Sequence, residues 1–346
     1  MTTHRTACER ARAVTVVAVL HVLAACSGES TGVVKEVDPG PGSHFSVLPI
    51  PLEKIGRITA LGFNNFTLPN AHTYWETCET WSVMRLNRPC SNAKLDLLAP
   101  VNGEVVSLDT NADGFLTVQG PVGVVWTFGH VTPAPGLTRG SRVTAGQVVA
   151  RMFYFHGFDF GVTNFGIRHR HIVPERFSQQ FNHGQNPIAL YPDALRTELL
   201  TRMNAAGPAH GRLAYDSLGT TSGTWVAEGN LRKYIINVDE PLLLWFGRWT
   251  ERPATQIMST GLQWPGMENL TLVADLTAPR WEDITPRSGK VAIRLWNMNE
   301  SATANFSRPG GTVLVEMLGE RLLRMEHFNT HAPIADFTAA ARRYER

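Results

Sequence analysis

The sequence predicts a mainly β protein with two β regions joined by a helix. Runs of Val, Leu, Phe and Trp alternate with Gly, Pro, Asn and Asp between Leu95 and Val162 and again after Gly211. Short apolar runs between turn residues are typical of antiparallel strands. Residues 190–206 instead carry apolar side chains at helical spacing. At 346 residues the chain is long enough for two domains with separate cores.

The first β region contains two turn signals. Asn102-Gly103 lies between two apolar runs, a pattern that favours a tight reversal of the chain. A second turn is predicted at Ala145-Gly146, just before an apolar strand. Between the two turns, His130 stands at a strand end and precedes a loop rich in Pro and Gly. These signals predict several short strands that reverse direction repeatedly.

Together these pieces resemble the lysostaphin-type peptidoglycan endopeptidases, which have the duplicated-hybrid-motif β-sandwich fold. The resemblance covers residues 57–165 and rests on LAPVNGEVV, on GHV followed by VTAGQVV, and on a last strand FDFGV. It implies a zinc-dependent peptidase-like domain in which His130 is the catalytic histidine. The family's last strand supplies a zinc-binding His, and Asp159 stands at that position in this chain.

The family's first metal motif, His-x-x-x-Asp, can be placed in two ways. In direct register with the Ala-Pro turn, Asp96 matches the Asp but Asn92 replaces the His. Alternatively, His72 and Glu76 of HTYWE form the motif, and residues 77–95 are an insertion. We prefer the second placement, because residues four apart on a strand project to the same face.

These candidates lead to three functional hypotheses. Because a catalytic zinc takes three protein ligands and an open water position, the predicted metal ligands are His72, Asp159 and either Glu76 or Asp96. Two carboxylates with one imidazole are an unusual zinc set, so we predict no cofactor or weakly bound zinc, in a non-catalytic domain that binds or scaffolds cell-wall components. The first alternative is a metal-dependent peptidoglycan endopeptidase in which His130 relays a proton or stabilises the oxyanion. The second is a carrier of a small apolar ligand in the C-terminal β region.

The N-terminus resembles a bacterial lipoprotein signal. A basic start is followed by an uncharged run over residues 13–25 and by Leu-Ala-Ala-Cys26, a pattern typical of secretory signals. LAAC matches the lipobox, which implies cleavage before Cys26 and lipidation of its sulfur. We therefore predict a signal peptide at 1–25, a flexible Gly/Ser/Pro-rich tether at 26–46, and an exported protein held by lipid in the bacterial cell envelope.

The mature chain would keep Cys78 and Cys90 as its unlipidated thiols. A cysteine pair in an exported protein predicts a disulfide, here within the proposed insertion. The formal net charge is +2 and charged residues make up 18% of the chain. Because no basic stripe accompanies them, nucleic acid is not an expected partner. The expected partners are the membrane, through the lipid, and peptidoglycan or envelope proteins.

Four parts follow the predicted tether: a β-sandwich, a helical connector, a second antiparallel β domain and a C-terminal tail, at 47–175, 176–207, 208–330 and 331–346. The connector holds Leu195 and Leu199 at helical spacing after Asp193, a candidate N-cap. Strand-length runs separated by turns predict a barrel or sandwich in the second β domain. Its start, Gly223-Thr224-Trp225, is similar to that of lipocalin-like barrels.

Two histidines near the end of the first β domain allow two interpretations. His169 and His171 stand two apart in RHRHIV, so on a strand they would share one face, as a metal-binding pair would. We favour an exposed strand edge made polar by its basic residues, since no carboxylate or cysteine stands nearby at supporting spacing.

Overall fold

A computed structural model describes residues 44–63, 67–77, 94–111, 113–203, 211–230, 242–261, 271–298 and 304–346. Its regular structure is mainly antiparallel β, which confirms the predicted fold class. Cys26, Cys78, Cys90 and Asn92 lie outside the described residues, as does the predicted signal peptide. Lipidation and the disulfide therefore stay predictions.

The first β region is an antiparallel sheet, which has nine strands within the described ranges. They are β1 Arg57–Ile58, β2 His72–Glu76, β3 Asp96–Leu98, β4 Gly103–Asp109, β5 Gly114–Gln119, β6 Val124–Pro133, β7 Arg142–Val143, β8 Val148–Met152 and β9 Gly157–Asn164. Their order in the sheet is β1-β2-β9-β6-β5-β4-β7, with β8 pairing to both β6 and β3. Strands β2, β9 and β6 are neighbours, and they carry the predicted site.

The sheet has one apolar and one polar face because side chains alternate along its strands. The aromatic residues of β2, β6 and β9 that face the core are fully buried: Trp75, Trp126, Phe128, Phe158 and Phe160. The residues between them, among them His72, Tyr74 and Asp159, are partly exposed. The alternation seen in the sequence thus places the candidate site residues together on the polar face.

The Asn102-Gly103 pair does not join a hairpin, contrary to the prediction. Residues 99–102 connect β3 to β4, but β3 pairs with β8 while β4 pairs with β5 and β7. The reason lies in non-local pairing: Ala99 exchanges backbone hydrogen bonds with the turn at 146–147. The Asn102 side chain also accepts a hydrogen bond from the Ala145 N–H, so the two predicted turns lie against each other.

The connector is helical in two short pieces, α1 Gln179–His183 and α2 Asp193–Leu200. Helix α2 is shorter than the 190–206 that the spacing predicted, and Pro192 rather than Asp193 occupies its N-cap. Asp193 lies in the first turn, where a carboxylate interacts favourably with the helix dipole. In the part of the chain that the structure describes, no helix is long and apolar enough to cross a membrane.

The segment that carries His169 and His171 is not a strand, so the predicted strand edge is wrong. The His169 ring lies 2.7 Å from the carbonyl oxygen of Gly184 through Nε2. The His171 ring is buried and stacks on Phe177 with 3.9 Å between ring centroids. Phe177 of the connector therefore covers the His171 ring, which is not at an exposed edge.

The second β region is a closed antiparallel barrel whose strands follow one another in chain order. Its eight strands within the described ranges are β10 Gly223–Ala227, β11 Leu243–Trp249, β12 Arg252–Thr260, β13 Thr271–Ala274, β14 Lys290–Met298, β15 Ala304–Gly319, β16 Leu322–Phe328 and β17 Arg342–Glu345. Strand β17 closes the barrel by pairing with β16 and β10. This strand falls in the region that was predicted to be a C-terminal tail. The prediction missed it because Arg-Arg-Tyr-Glu contains no apolar run, and only Tyr344 of the four residues lies in the core.

Arg346 closes one end of the barrel. Its guanidinium carbon lies 4.0 Å from the ring centroid of Trp225, and its N–H groups donate to the carbonyl oxygens of Ser217, Thr220 and Ser222. Burial lowers the pKa of Arg346 to about 10. Trp225 itself is fully buried, as expected for a tryptophan on a strand of a barrel core.

Sheet and barrel share an apolar junction. One buried cluster combines Leu61 and Leu68 of the sheet region with Trp245 and Trp249 of the barrel. Beside this cluster, Arg57 of β1 lies 3.0 Å from the carboxylate of Glu251, in the turn between β11 and β12. The residues at one edge of the sheet are therefore engaged by the barrel.

Candidate functional site on the polar face of the sheet

The structure brings three predicted site residues together on the polar face. Across the β2–β9 pair, Tyr74 lies opposite Asp159, and across the β9–β6 pair, Gly129 lies opposite Asp159. His72 Nε2 lies 3.4 Å from Asp159 Oδ1, and His130 Nε2 lies 3.4 Å from Asp159 Oδ2. Each oxygen of this carboxylate therefore faces one imidazole.

His130 reaches this face because β6 contains a β-bulge. On β5, Phe115 pairs with Gly129 and Gly114 with Val131, so His130 is the extra residue between them. Its φ is +57°, in the left-handed region that residues with a Cβ rarely adopt. In a regular strand His130 would face the core, opposite to Gly129. Bulges re-aim side chains in this way and are frequent beside functional sites.

Asp113 holds the other side of the His130 ring. Its Oδ1 lies 2.6 Å from His130 Nδ1, and its Oδ2 accepts a hydrogen bond of 3.1 Å from the Tyr154 hydroxyl. The hydrogen bond to Asp113 raises the pKa of Tyr154. The sequence pattern did not single out these two residues, because Asp113 stands in an Asn-Ala-Asp-Gly stretch that is typical of a turn. Its φ of +64° agrees with that turn.

Four rings form a closed circuit beside the two carboxylates. The centroid distances are 6.2 Å from Tyr74 to His130, 5.4 Å from His130 to Tyr154, 5.1 Å from Tyr154 to His156 and 6.1 Å from His156 to Tyr74. All four side chains are partly exposed. We call these four residues the ring cluster. In the sequence these aromatic and imidazole residues are scattered, so no motif predicted that they would lie together.

The ring cluster stands in a negative environment. Burial, followed by the carboxylates of Asp159 and Glu76, raises the pKa of Tyr74 far above its ordinary value. Burial, followed by the neighbouring His130, lowers the pKa of His156. The phenol of Tyr74 is thus kept protonated and the imidazole of His156 is biased towards its neutral form.

Two glycines make room for these side chains. A Cβ at position 129 would lie 3.1 Å from both Cβ and Oδ2 of Asp159, and one at position 157 would lie 2.9 Å from the Tyr74 ring. Both distances are shorter than ordinary van der Waals contact. Gly129 and Gly157 therefore allow Asp159 and Tyr74 to lie close to the neighbouring strand.

Glu76 does not converge with His72 on one point. Strand β2 is regular from His72 to Glu76, so at about 3.3 Å per residue their Cα atoms are roughly 13 Å apart. Tyr74 lies between them on the same face. The Glu76 carboxylate is instead 3.8 Å from Arg57, which also pairs with Glu251 of the barrel. The sequence favoured His72 and Glu76 because residues four apart on a strand share a face. Sharing a face does not by itself bring two side chains to one metal ion.

Asp96 does not complete a metal site either. It is exposed, and its carboxylate lies 3.8 Å from Arg151 on β8. Among the described residues, no group of three or more His, Cys, Asp and Glu side chains is placed to hold a metal ion. Because zinc needs three protein ligands, these residues do not fit the zinc site that the resemblance implies. The roles assigned to His72, Glu76, Asp96, Asp159 and His130 stay predictions.

No protein-family model matches the sequence, and no curated protein is significantly similar to it. Similar solved structures include Csd3 from Helicobacter pylori, at 16% identity over 36% of this chain and 33% of that chain with a TM-score of 0.26. A zinc containing peptidase from Vibrio cholerae is 15% identical over 35% of this chain and 37% of its own, with a TM-score of 0.26. The catalytic domain of the antimicrobial peptidase lysostaphin from Staphylococcus simulans is 13% identical over 40% and 92%, with a TM-score of 0.27.

The aligned region spans about a third of the Helicobacter and Vibrio chains. Identities and TM-scores this low carry no argument about the site or the activity. The functional conclusion for this chain therefore depends on its own residues.

Proposed function

We propose that this chain is an exported, lipid-anchored protein of the bacterial cell envelope whose sheet binds a cell-wall component without hydrolysing it. The observation that supports a binding site is the Asp159 carboxylate between His72 and His130 on a partly exposed face. His130 is held there by a left-handed bulge. Backbone strain of this kind costs on the order of 1–3 kcal/mol and clusters at functional sites.

The placement of Glu76 supports binding without metal-dependent hydrolysis. A zinc peptidase uses its metal to activate a water molecule, which requires a stable set of protein ligands and an open position. In this chain His72 and Asp159 offer two ligands, while Glu76 is engaged by Arg57. The sheet therefore has a polar site with a strained backbone at His130. The Glu76 carboxylate, the predicted third ligand, is directed instead to the junction with the barrel.

A metal-dependent peptidoglycan endopeptidase is the second candidate, and one observation favours it. The contact between Asp113 and Nδ1 of His130 leaves Nε2 directed towards Asp159, an arrangement typical of a general base oriented by a carboxylate. Among the described residues the carrier hypothesis has no comparable support, because the buried apolar side chains of the barrel pack either against one another or against the sheet region, in two clusters.

The test of binding uses the mature protein with Cys26→Ser, so that lipid does not interfere. It is pelleted with purified peptidoglycan sacculi, with and without EDTA, and the supernatant is analysed for released fragments. We expect pelleting that EDTA leaves unchanged, no released fragments, and reduced pelleting of Asp159→Ala. Asp193→Asn, which removes an exposed carboxylate from α2, is the matched control and should pellet like the parent protein.

Two results would overturn this proposal in favour of the peptidase. One is about one zinc per chain after purification without chelators, lost in His72→Ala. The other is EDTA-sensitive release of fragments that His130→Ala slows by roughly 10²–10⁴-fold, the usual effect of removing a general acid or base.

The anchor is tested in cells. Because the predicted lipid is attached to the Cys26 sulfur, Cys26→Ser should move the protein from the membrane fraction to the soluble fraction. Retention of the variant in the membrane, or a parent protein whose mass shows an unmodified Cys26, would contradict the lipid anchor.

A further inference from the structure

We propose that residues 167–184 form a pH-sensitive latch, which holds this segment against the start of the barrel at neutral pH and is released when its buried histidines take up protons. The segment carries His169 and His171, and the exposed Arg168 and Arg170 add positive charge on either side of His169. This inference goes beyond the binding role proposed above and does not depend on it.

Asp216 ties the segment to the barrel. Its Oδ2 accepts a hydrogen bond of 2.8 Å from the Ile172 N–H, and its Oδ1 accepts one of 2.7 Å from the Thr224 N–H on β10. The side chains of His171 and Asp216 are 2% and 3% exposed, and His171 Nδ1 lies 4.0 Å from Asp216 Oδ2. His171 is therefore buried directly beside the contact that joins the segment to the barrel.

The neutral form of His171 fits this position. Its Nε2 lies 3.4 Å from the carbonyl oxygen of Phe181, and because a carbonyl can only accept, Nε2 carries the hydrogen and Nδ1 does not. Nδ1 is buried and has no hydrogen-bond partner among the described residues. The ring also stacks on Phe177. The segment thus packs around an uncharged imidazole.

Protonation of His171 would place a second positive charge beside one buried carboxylate. Asp216 Oδ1 and Arg346 Nη1 lie 2.2 Å and 3.0 Å from the position that a Cβ at Gly223 would occupy, so they are within about 5 Å of each other and attract strongly. Arg346 is 3% exposed, and with a pKa of about 10 it is charged at neutral pH. Asp216 therefore already has a buried counter-charge. An imidazolium at His171 would leave a net positive charge in the interior, which costs free energy.

The same balance lowers the pKa of both histidines. Burial lowers the pKa of His171 below its ordinary value of 6.5 and His169 adds to this effect, while the Asp216 carboxylate opposes it. Burial also lowers the pKa of His169 and His183 adds to this effect, while a hydrogen bond to a backbone carbonyl opposes it. A released segment regains ordinary pKa values, so it binds protons that the latched segment does not. The latch is therefore most stable above about pH 7 and loses stability as the pH falls below about 6.5.

Hydrogen exchange followed by mass spectrometry tests the latch on the mature Cys26→Ser protein. The equilibrium constant for opening of residues 167–184 is measured at pH 7.5 and at pH 5.5, with correction for the intrinsic pH dependence of exchange and with β16 as the internal reference. A histidine that stays neutral in the latched state raises this constant by up to about tenfold between the two pH values. We expect the increase to be at least about threefold larger in the parent protein than in His171→Phe.

Two variants of His171 and one control keep this test independent of folding defects. His171→Phe keeps a flat ring for the stack on Phe177 but cannot be charged. His171→Gln keeps an N–H donor for the Phe181 carbonyl and cannot be charged either, so it should give the same result and replaces His171→Phe if that variant does not fold. His331→Gln is the matched control, because His331 also contacts a backbone carbonyl, that of Leu295 in the barrel. It should keep the parent's pH dependence.

Three results would overturn the latch. The first is an increase in the parent protein that exceeds that of the His171 variant by less than about threefold. The second is the same loss of pH dependence in His331→Gln, since removal of any histidine would then suffice. The third is an NMR titration in which the imidazole signal that disappears in His171→Phe has a pKa of 6.5 or higher, because Asp216 would then hold the charged ring and acid would tighten the segment. A pKa below 6.5 supports the latch.

Discussion

The barrel and the sheet both set aromatic rings beside polar groups, but the barrel supplies its own cation. Arg346 lies over Trp225 and donates to three carbonyl oxygens. On the sheet, the contacts that the described residues make with Asp113 and Asp159 come from two histidines and a tyrosine. An arrangement that contains its cation stabilises the fold. The sheet instead places carboxylates and rings at a partly exposed face, where a ligand can reach them.

The largest expected effect concerns the barrel. Arg346→Ala removes the contact with Trp225 and leaves three carbonyl oxygens without this donor, so it should lower the free energy of unfolding by about 3–5 kcal/mol. Urea denaturation followed by tryptophan fluorescence measures this loss. Arg342→Ala, at an exposed position of the same strand, should change stability by less than about 0.5 kcal/mol. Equal losses in the two variants would mean that Arg346 does not hold the barrel end.

The second prediction concerns Arg57, the cation of strand β1 at the junction with the barrel. Arg57→Ala leaves the largely buried carboxylates of Glu76 and Glu251 without this partner, and we expect a loss of about 2–3 kcal/mol. Arg151→Ala, which breaks the exposed pair with Asp96, should lose less than about 1 kcal/mol. If Arg57→Ala lowers the free energy of unfolding no more than Arg151→Ala does, Arg57 does not hold Glu76 at the junction between sheet and barrel. A role for Glu76 as a metal ligand would then be the better interpretation.

The sequence predicted what depends on alternation along a single strand. The buried aromatic residues of β6 and β9 and the polar face that carries His72 and Asp159 follow from period-two patterns. It did not predict what depends on distant partners. Arg57 and Glu251 are 194 residues apart in sequence, and the Asn102-Gly103 hairpin was overridden by pairing with the turn at 146–147.

The geometry around His130 was hidden from the sequence for a related reason. The resemblance pointed to His130, but a bulge appears only when β5 and β6 are paired. Asp113 looked like an ordinary turn residue, and its contact with His130 spans two strands. Strand β17 was missed because barrel closure, rather than its own composition, makes Arg-Arg-Tyr-Glu a strand.

The third prediction tests how closely the site is packed. Gly129→Ala introduces a Cβ 3.1 Å from the Asp159 side chain, so we expect a loss of about 1–2 kcal/mol in the free energy of unfolding from overpacking and reduced pelleting with peptidoglycan sacculi. Gly319→Ala, in the barrel, meets no atom within 4 Å and serves as the control for adding a methyl group. Unchanged pelleting of Gly129→Ala with sacculi would show that Asp159 is free to move, and that the sheet does not preorganise its carboxylate.

The smallest expected effect distinguishes a strained functional bulge from an ordinary strand. In a regular strand glycine is less stable than alanine, because it loses more conformational freedom on folding. At a left-handed position the order reverses, since a Cβ there costs about 1–2 kcal/mol. Because the φ of His130 is +57°, His130→Gly should unfold at a higher urea concentration than His130→Ala. The expected difference in the free energy of unfolding is about 1 kcal/mol.

A second left-handed residue provides the control for this reversal. Val122 has a φ of +39° and is exposed in the turn before β6, away from the ring cluster. Val122→Gly should also be more stable than Val122→Ala, but neither change should alter pelleting with peptidoglycan sacculi, whereas both His130 variants should reduce it. If His130→Ala were the more stable of its pair, the bulge would carry no strain. Strain would then no longer mark this face of the sheet as functional, while the barrel predictions would be unaffected.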